Sequence, residues 1–557
     1  MIRTGRVAAI ILVCSVLLPT VGEARSSATP VAISTPVGTA PQPGAPGIGD
    51  PYYPLLGNGG YDATHYTIAL DLDVAGGTIN SGEVTIDAVA TQALSAFNLD
   101  YRGPTIDTIT VDGAQATWSR TGGELTVTPA QPIADDAAFQ VIVDYHGKPD
   151  GGDDRFERGW WAVSDSIFTI GEPGGADVWF PVNGHPLDKA TYTLAITVTE
   201  PYQVVANGQL VSKTDRGAES GSEPKVTFLW ENGDPTASYL VLFHAAKMDV
   251  ETTRGPEDIT LVEAFPDSVV NPRLAVFDLV PQMLEVFSDR FGPYPFESFG
   301  NTVFADSSLD AALETQGIVG FDQSAVSERT VAHELAHQWF GDSVSLERWQ
   351  DIWLNEGFAR YAETIWAGAA HGEDAANASL QQQIGSFANA VRGSGEAGAK
   401  IGDPGPDNLF SEVVYAGGAL LLDDLRHTIG DEAFFRLLKA WAARHADANA
   451  STDDFIALAE EVSGQDLDQF FDDWLYRPWT TDRVADRFSL RGTPTDEATA
   501  IRPSTANVSA RAGVDGNGAG RLVGPCSHRV VRASYLMNSL SRAPFRTWVF
   551  EGIGVRE

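Results

Sequence analysis

Residues Ser327–Gly341 read SERTVAHELAHQWFG, and this stretch decides how the second half of the chain is organised. Its apolar positions recur at helical spacing, so the segment is predicted to form one helix. His333 and His337 are four residues apart, and residues at this spacing share one face of a helix. Two imidazoles on one face can bind a single metal ion, and zinc readily accepts imidazole nitrogen.

A site of this kind needs a third protein ligand, because a catalytic zinc keeps one of its four positions open for water. Glu356 follows His337 after eighteen intervening residues, inside the segment Trp353–Ala359, which is predicted to lie on a second helix. Two antiparallel helices joined by a loop of this length can bring Glu356 to the metal. The predicted ligands of one Zn2+ ion per chain are therefore His333, His337 and Glu356.

Glu334 follows His333 directly, so it can face the open position of the metal without binding the ion. A carboxylate at this place can act as a general base that takes a proton from the attacking water and passes it to the leaving amine. The pattern therefore predicts metal-assisted hydrolysis with Glu334 as a catalytic residue.

The residues around this motif predict an α+β domain over 253–480. Apolar residues from Leu274 to Phe291 recur at helical spacing, and Ser451 or Thr452 is a candidate cap for a late helix. Further helices are predicted around residues 355–370, 411–428, 431–445 and 452–463. Strands are predicted at Asn301–Ala305 and Leu313–Phe321.

Residues 56–252 show a different pattern, with short alternating runs separated by turn residues. Tyr66–Val74 and Tyr192–Val198 alternate apolar and polar side chains, as strands with one buried face do. This half is predicted to be an antiparallel β domain with the form of a sandwich or saddle. The chain is thus expected to be multidomain, with the β domain preceding the α+β domain.

The chain start has the pattern of a secretory signal peptide over residues 1–24. Arg3 and Arg6 precede an apolar run that is too short to span a bilayer comfortably, and small residues permit cleavage after Ala24. We therefore expect a secreted protein without a membrane anchor, released into the extracellular medium or the periplasm. Cleavage would remove Cys14 and leave Cys526 as the only thiol, so no intramolecular disulfide is expected.

Two segments carry no predicted structure. Residues 25–55 are rich in Pro, Ser, Thr and Gly and are predicted to form a linker. Residues 481–557 have weak hydrophobic periodicity and are predicted to form a poorly defined extension.

The charge of the chain argues against nucleic acid as a partner. Its 557 residues include 37 Lys and Arg against 75 Asp and Glu, which gives a formal charge of −38. Such a chain repels phosphate backbones and anionic lipid.

The block Val331–Phe358 resembles the gluzincin aminopeptidases, peptidase family M1, which includes aminopeptidase N and leukotriene-A hydrolase. The resemblance extends from about Tyr61 to Pro478 and includes Phe168–Pro173, Trp179–Pro181 and Asp188–Tyr192. It implies a thermolysin-like catalytic domain and a zinc-dependent aminopeptidase. The expected partners are peptide or protein substrates with a free N-terminus.

The segment 311–315 reads AALET and is similar to the family's Gly-Ala-Met-Glu-Asn segment, although three of its five residues differ. In the family this segment lies on an edge strand beside the zinc. The resemblance implies that Ala311, Ala312 and Glu314 bind substrate and that Glu314 contacts its free α-amine.

Two more site residues follow from the resemblance. Glu172 matches the family position that supplies the second amine contact, and Tyr415 matches the tyrosine whose phenol stabilises the oxyanion. Two carboxylates facing an ammonium would explain exopeptidase action. The alternatives are a thermolysin-like endopeptidase, which has no use for such a pair, and a non-catalytic binding protein that retains the fold. An epoxide hydrolase activity, known in one branch of the family, also stays open.

Overall fold

The computed structural model describes residues 40–152, 157–163, 165–217, 223–269, 274–305, 309, 311–395 and 398–488. The predicted signal peptide, both cysteines and all of the predicted C-terminal extension beyond residue 488 lie outside these residues. Among the helices of the described part, none combines the length and the apolar character that crossing a membrane requires.

The first half of the described chain consists mainly of β-strands. These strands are β1 Gln42–Pro43, β2 Tyr61–Asp73, β3 Thr78–Ala90, β4 Leu94–Asp100, β5 Thr105–Val111, β6 Ala114–Gln115, β7 Thr117–Thr121, β8 Glu124–Thr128, β9 Ala138–Gly147, β10 Trp161–Val163, β11 Ser166–Phe168, β12 Ala190–Thr199, β13 Gln203–Ala206, β14 Gln209–Gly217, β15 Lys225–Thr236 and β16 Phe243–Ala246.

These strands form one large sheet and two small ones. The large sheet has the order β14-β15-β12-β2-β3-β9-β5-β6, and the small sheets have the orders β1-β4-β8-β7 and β10-β11-β16-β13. In the large sheet β12 and β2 are parallel, and the other neighbours are antiparallel. Along β12 each second side chain is buried, as the alternation of this segment predicts. The buried faces of β2, β4 and β9 meet in one core, where Tyr61 contacts Phe97 and Phe139.

The second half contains the remaining strands and the helices. The strands are β17 Met248–Arg254, β18 Thr260–Pro266, β19 Ser298–Phe304, β20 Ala312–Leu313, β21 Ile318–Asp322, β22 Val344–Leu346 and β23 Ala448–Ala450. The helices are α1 Val280–Phe291, α2 Glu328–His337, α3 Trp353–His371, α4 Glu373–Gly393, α5 Glu412–Ile429, α6 Asp431–Arg444, α7 Thr452–Ser463, α8 Asp468–Phe471 and α9 Thr481–Arg487.

This half is an α+β domain with its own hydrophobic core. Its sheet has the order β17-β18-β19-β21-β20, so β20 is an edge strand. Strand β17 pairs with β18, and the domain boundary predicted after residue 252 therefore falls inside a strand of this sheet. The predicted fold class, a β domain followed by an α+β domain, is confirmed.

The structure differs from the sequence predictions at three places in this domain. Helix α4 was not predicted, because its sequence is dominated by small and polar residues and few of its side chains are buried. Helix α2 ends at His337, four residues earlier than predicted, and Gly341 adopts a φ of 132° in the turn that follows. The strand predicted over Leu313–Phe321 is divided into β20 and β21 by a turn in which Gly317 has a φ of 73°.

Part of the predicted linker is ordered and connects the two domains. Asp50 is buried, and its carboxylate accepts hydrogen bonds from the backbone N–H groups of Tyr52, Tyr53 and Trp349 at 2.8 to 2.9 Å. The same carboxylate lies 3.2 Å from Nε2 of His185 in the β domain. Composition alone did not indicate this order, because it depends on one carboxylate that meets donors far away in the sequence.

Replacing Asp50 with Ala is expected to lower the free energy of unfolding by about 2–4 kcal/mol, because buried donors lose their acceptor. Denaturant titration of this variant and of Asp289→Ala, which removes an exposed carboxylate, measures the difference. Burial opposes ionisation, but the hydrogen bonds from His185 and the backbone lower the pKa of Asp50 overall. The contribution of Asp50 to the free energy of unfolding should thus be complete above about pH 4, which is the pKa of an aspartate in the unfolded chain. This contribution should decrease as the pH falls further. Equal stability losses in both variants would contradict this role.

Candidate active site

Helices α2 and α3 carry the predicted metal ligands on facing surfaces. The hydroxyl of Ser327 caps α2 by accepting a hydrogen bond from the Thr330 N–H at 3.1 Å. About two and three turns after Ser327, the rings of His333 and His337 lie with their centroids 4.8 Å apart. Glu356 lies in the first turn of α3, and all three ligand side chains are buried.

The ligand atoms are spaced for one small cation. Oε2 of Glu356 lies 3.3 Å from Nε2 of His333 and 3.6 Å from Nε2 of His337. Tetrahedral ligands that each lie about 2.0–2.1 Å from zinc are roughly 3.3–3.4 Å from one another. Two neutral imidazoles and one carboxylate thus fit zinc in both chemistry and geometry.

The other nitrogen of each imidazole is held by the protein. Nδ1 of His333 donates to Oε1 of Glu363 at 2.9 Å, and Nδ1 of His337 donates to the Phe340 carbonyl at 3.0 Å. These bonds leave each Nε2 lone pair available to a metal. The early end of α2 matters here, because it turns the Phe340 carbonyl towards His337. Sequence reasoning missed Glu363, although its position seven residues after Glu356 places both on one face of α3.

Replacing Glu363 with Gln is expected to weaken zinc binding by about 10- to 100-fold, because an amide holds the His333 ring less firmly and adds no negative charge. Competition with a chromogenic chelator measures the zinc affinity. Glu432→Gln, which changes an exposed residue of α6, is the control. A change of less than about twofold in zinc affinity would show that Glu363 does not support the site.

Glu334 lines the same cavity from the face of α2 that carries the ligands. Its carboxylate belongs to a cluster with Glu314 and His337 whose nearest oxygen and nitrogen atoms lie within 4.8 Å of one another. Burial raises the pKa of Glu334 to about 7, against the opposing influence of the two imidazoles. A cation at the ligands would favour the carboxylate form, which is the form that can accept a proton.

Two more glutamates reach the cavity from other parts of the fold. Glu314 directly follows edge strand β20, and Glu172 lies in the loop after β11 of the β domain. Their carboxylates and that of Glu356 lie within 4.8 Å of one another. Burial, reinforced by Glu314, raises the pKa of Glu172, and burial also raises the pKa of Glu314. Among the described residues, Oε1 of Glu172 and Oε1 of Glu314 have no hydrogen-bond partner, so this corner can accept a cationic donor.

Tyr415 reaches the site because α3 and α5 approach each other closely. A Cβ at Gly418 of α5 would lie 2.7 Å from Cα of Gly357, so a side chain there would separate the helices. The Tyr415 ring stacks over His333 with centroids 5.9 Å apart and planes at 12°. Burial and the nearby carboxylates raise the pKa of Tyr415 well above its usual range, so the phenol stays protonated and can donate a hydrogen bond.

All of the residues predicted from the sequence to form the site line a single cavity of about 400 Å3. They are Glu172, Ala311, Ala312, Glu314, His333, Glu334, His337, Glu356 and Tyr415. Gln338, which sequence reasoning missed, holds the edge segment against α2, because its side chain donates to the Glu314 carbonyl and accepts from the Gly317 N–H.

Models of two protein-family domains match this chain. The model of the peptidase family M1 domain matches residues 276–474, and that of the peptidase M1 N-terminal domain matches residues 62–240. Together the two models cover more than half of the chain. The chain belongs to peptidase family M1. The family predicted from the motifs is thereby confirmed.

Two curated M1 relatives show how much of the chain is shared. Aminopeptidase N of Streptomyces lividans is 27% identical in an alignment of 441 positions, which covers 74% of this chain and 50% of that protein. Glutamyl aminopeptidase of Bos taurus is 27% identical in an alignment of 369 positions, which covers 62% of this chain and 38% of that protein. The chain thus spans half or less of the length of these relatives.

The M1 zinc metallopeptidase of Deinococcus radiodurans is a similar solved structure, with a TM-score of 0.69 and 28% identity. The alignment covers 77% of this chain and 96% of that one. A mutant of the same protein bound to a Tyr-Ser-Ala substrate aligns with a TM-score of 0.68 and 29% identity. Zinc is the cofactor of these M1 proteins, which confirms the cofactor prediction, and His333, His337 and Glu356 form the candidate site for it.

Proposed function

We propose that this chain is a zinc aminopeptidase that hydrolyses the N-terminal bond of peptides or proteins with a free N-terminus. The observation that carries this proposal is the pair Glu172 and Glu314, whose buried, unpartnered oxygens lie beside the zinc ligands. A peptide ammonium would satisfy both carboxylates. A blocked or internal peptide would leave them buried without a counter-charge, which disfavours its binding.

The positions of the side chains support one course for the reaction. His333, His337 and Glu356 would hold the zinc ion, which would supply Lewis-acid chemistry to the scissile carbonyl and to the attacking water. Glu334 takes the proton of the attacking water and returns it to the leaving amine. The Tyr415 phenol donates a hydrogen bond to the oxygen on which negative charge develops.

The relatives support this choice over the alternatives. The curated relatives are named aminopeptidase N and glutamyl aminopeptidase, and a mutant of the similar Deinococcus protein binds a Tyr-Ser-Ala substrate. An endopeptidase would use the zinc ligands and Glu334, but it would gain nothing from Glu172 and Glu314. A binding protein without activity would have no need of Glu334.

Hydrolysis of alanine p-nitroanilide and of its N-acetylated form tests the proposal. We expect cleavage of the free compound alone, because only its ammonium can pair with Glu172 and Glu314. Glu314→Gln and Glu172→Gln should each reduce kcat/KM for the free compound by about a hundredfold or more, with zinc content unchanged. Glu251→Gln, on the exposed face of β17, is the control. Equal cleavage of free and acetylated compounds would favour the endopeptidase alternative.

A further inference from the structure

Helix α2 presents a charged side chain to the cavity that the proposed reaction does not use. Arg329 lies four residues before His333 and eight before His337, so the three side chains follow one face of the helix. Arg329 lines the cavity, and 39% of its side-chain surface is exposed to solvent.

The hydrogen bonds of Arg329 leave part of its guanidinium available. Nε donates to Oε2 of Glu363 at 2.5 Å, whereas Nη1 and Nη2 have no hydrogen-bond partner in the part of the chain that the structure describes. Glu363 is also shared, because its Oε1 accepts from Nδ1 of His333 and lies 3.5 Å from Nε of Arg360. One carboxylate therefore serves two arginines, and the outer edge of Arg329 can bind a second anion.

The position of Arg329 sets the length of a ligand that could reach it. Oε1 of Glu314 lies 4.0 Å from Nδ1 of His337, so the proposed amine site is near the C-terminal end of α2. The eight residues from Arg329 to His337 span about 12 Å along the helix axis. An extended dipeptide spans about 7 Å and an extended tripeptide about 10 Å, and a hydrogen bond of about 3 Å at each end extends their reach to about 13 and 16 Å. A peptide of two or three residues held at Glu172 and Glu314 can thus place its carboxylate at Arg329.

We propose that Arg329 binds the α-carboxylate of dipeptides and tripeptides, and that the enzyme therefore prefers short peptides with a free C-terminus. This inference rests on the proposed function, because the amine site determines where the other end of the peptide lies. The planar guanidinium fork of arginine matches a carboxylate with two parallel hydrogen bonds, and such charge-assisted bonds are stronger than neutral ones.

Three substrates and three variants test the role of Arg329. The substrates are trialanine, trialanine amide and alanine p-nitroanilide, and the last two carry no carboxylate. We expect the parent enzyme to favour trialanine over its amide by about ten- to hundredfold in kcat/KM, which is the range for hydrogen bonds to a charged group. Arg329→Gln should remove this preference, so that trialanine and trialanine amide are hydrolysed with similar kcat/KM, whereas Arg329→Lys should retain part of it. The control is Arg444→Gln, which removes a 48% exposed arginine that is also paired with a glutamate, Glu461.

Peptides of different length provide an independent test of carboxylate binding by Arg329. Trialanine should be hydrolysed with a higher kcat/KM than pentaalanine by the parent enzyme, because the longer chain carries its carboxylate past Arg329. The Arg329→Gln variant should hydrolyse the two peptides at similar rates. Zinc content and the melting temperature of each variant establish that the site is intact.

The outcomes separate the inference from the function on which it rests. Equal losses on all three substrates in Arg329→Gln would mean that Arg329 acts only by holding Glu363 and His333, and would overturn the inference. A parent enzyme that cleaves the anilide but treats trialanine and its amide alike would overturn the inference and leave the proposed function standing. A zinc-loaded parent protein that cleaves none of the substrates would overturn both.

Discussion

Glu334→Gln is expected to lower kcat by about 10²- to 10⁴-fold, which is the usual contribution of a general base. The amide has nearly the shape of the carboxylate, but it cannot accept the proton of the attacking water. Glu334 lies between the two histidine ligands and is not one of them, so zinc content should stay at about one ion per chain. The loss should therefore appear in kcat, with little change in peptide affinity.

The measurement needs three readouts on the same preparation of Glu334→Gln. Steady-state hydrolysis of the free anilide gives kcat, metal analysis gives zinc content, and isothermal titration with trialanine gives affinity. Glu373→Gln, at an exposed position in the first turn of α4, is the control. If the variant retains more than about a tenth of the parent kcat, another group accepts the proton.

His337→Ala is expected to abolish both zinc binding and hydrolysis. The change leaves His333 and Glu356 as the remaining ligands, and two ligands are too few for a tightly held zinc ion. Zinc content should thus fall from about one ion per chain to near none after dialysis, and kcat should fall below detection. The melting temperature should fall as well, because metal binding at a thousandfold excess over its Kd stabilises the folded state by about 4 kcal/mol.

A second histidine variant separates loss of the ligand from loss of any imidazole. His427→Ala removes an exposed histidine of α5 and should leave zinc content, kcat and melting temperature unchanged. Treatment of the parent protein with a chelator should lower its melting temperature to about that of His337→Ala. A small remaining difference would reflect the packing that the variant loses with the imidazole. A His337→Ala protein that still holds one zinc ion would place the metal at other ligands.

Local patterns in the sequence predicted the helices that pack against a core. The bounds of α5, α6 and α7 agree with the prediction to within one residue, and Ser451 caps α7. These helices have clear apolar faces, which give a strong periodic signal. Helix α4 lacked this signal, so its existence depends on packing against α3 and α5 more than on its own pattern.

Contacts between distant residues could not be predicted from spacing. The ordering of residues 40–55 depends on Asp50, which meets Trp349 in the other domain. The bond between Arg329 and Glu363 joins two helices, and no sequence period relates these residues. Such contacts form only after the elements have packed against one another. The local pattern of a sequence therefore does not indicate whether they are present.

The sequence by itself predicted the candidate metal ligands, the candidate general base and the order of the two domains, and the structure confirms the order of the domains. The sequence could do so for the ligands because residues four apart share one face of a helix, which places His333 beside His337. It could do so for the domains because strands and helices have different periods of apolar residues. Only the tertiary structure decided that Glu172 of the β domain lies beside Glu314 of the catalytic domain, and that Arg329 lines the same cavity. Those positions depend on how a loop, an edge strand and α2 pack around a shared space, and packing is a property of the whole fold.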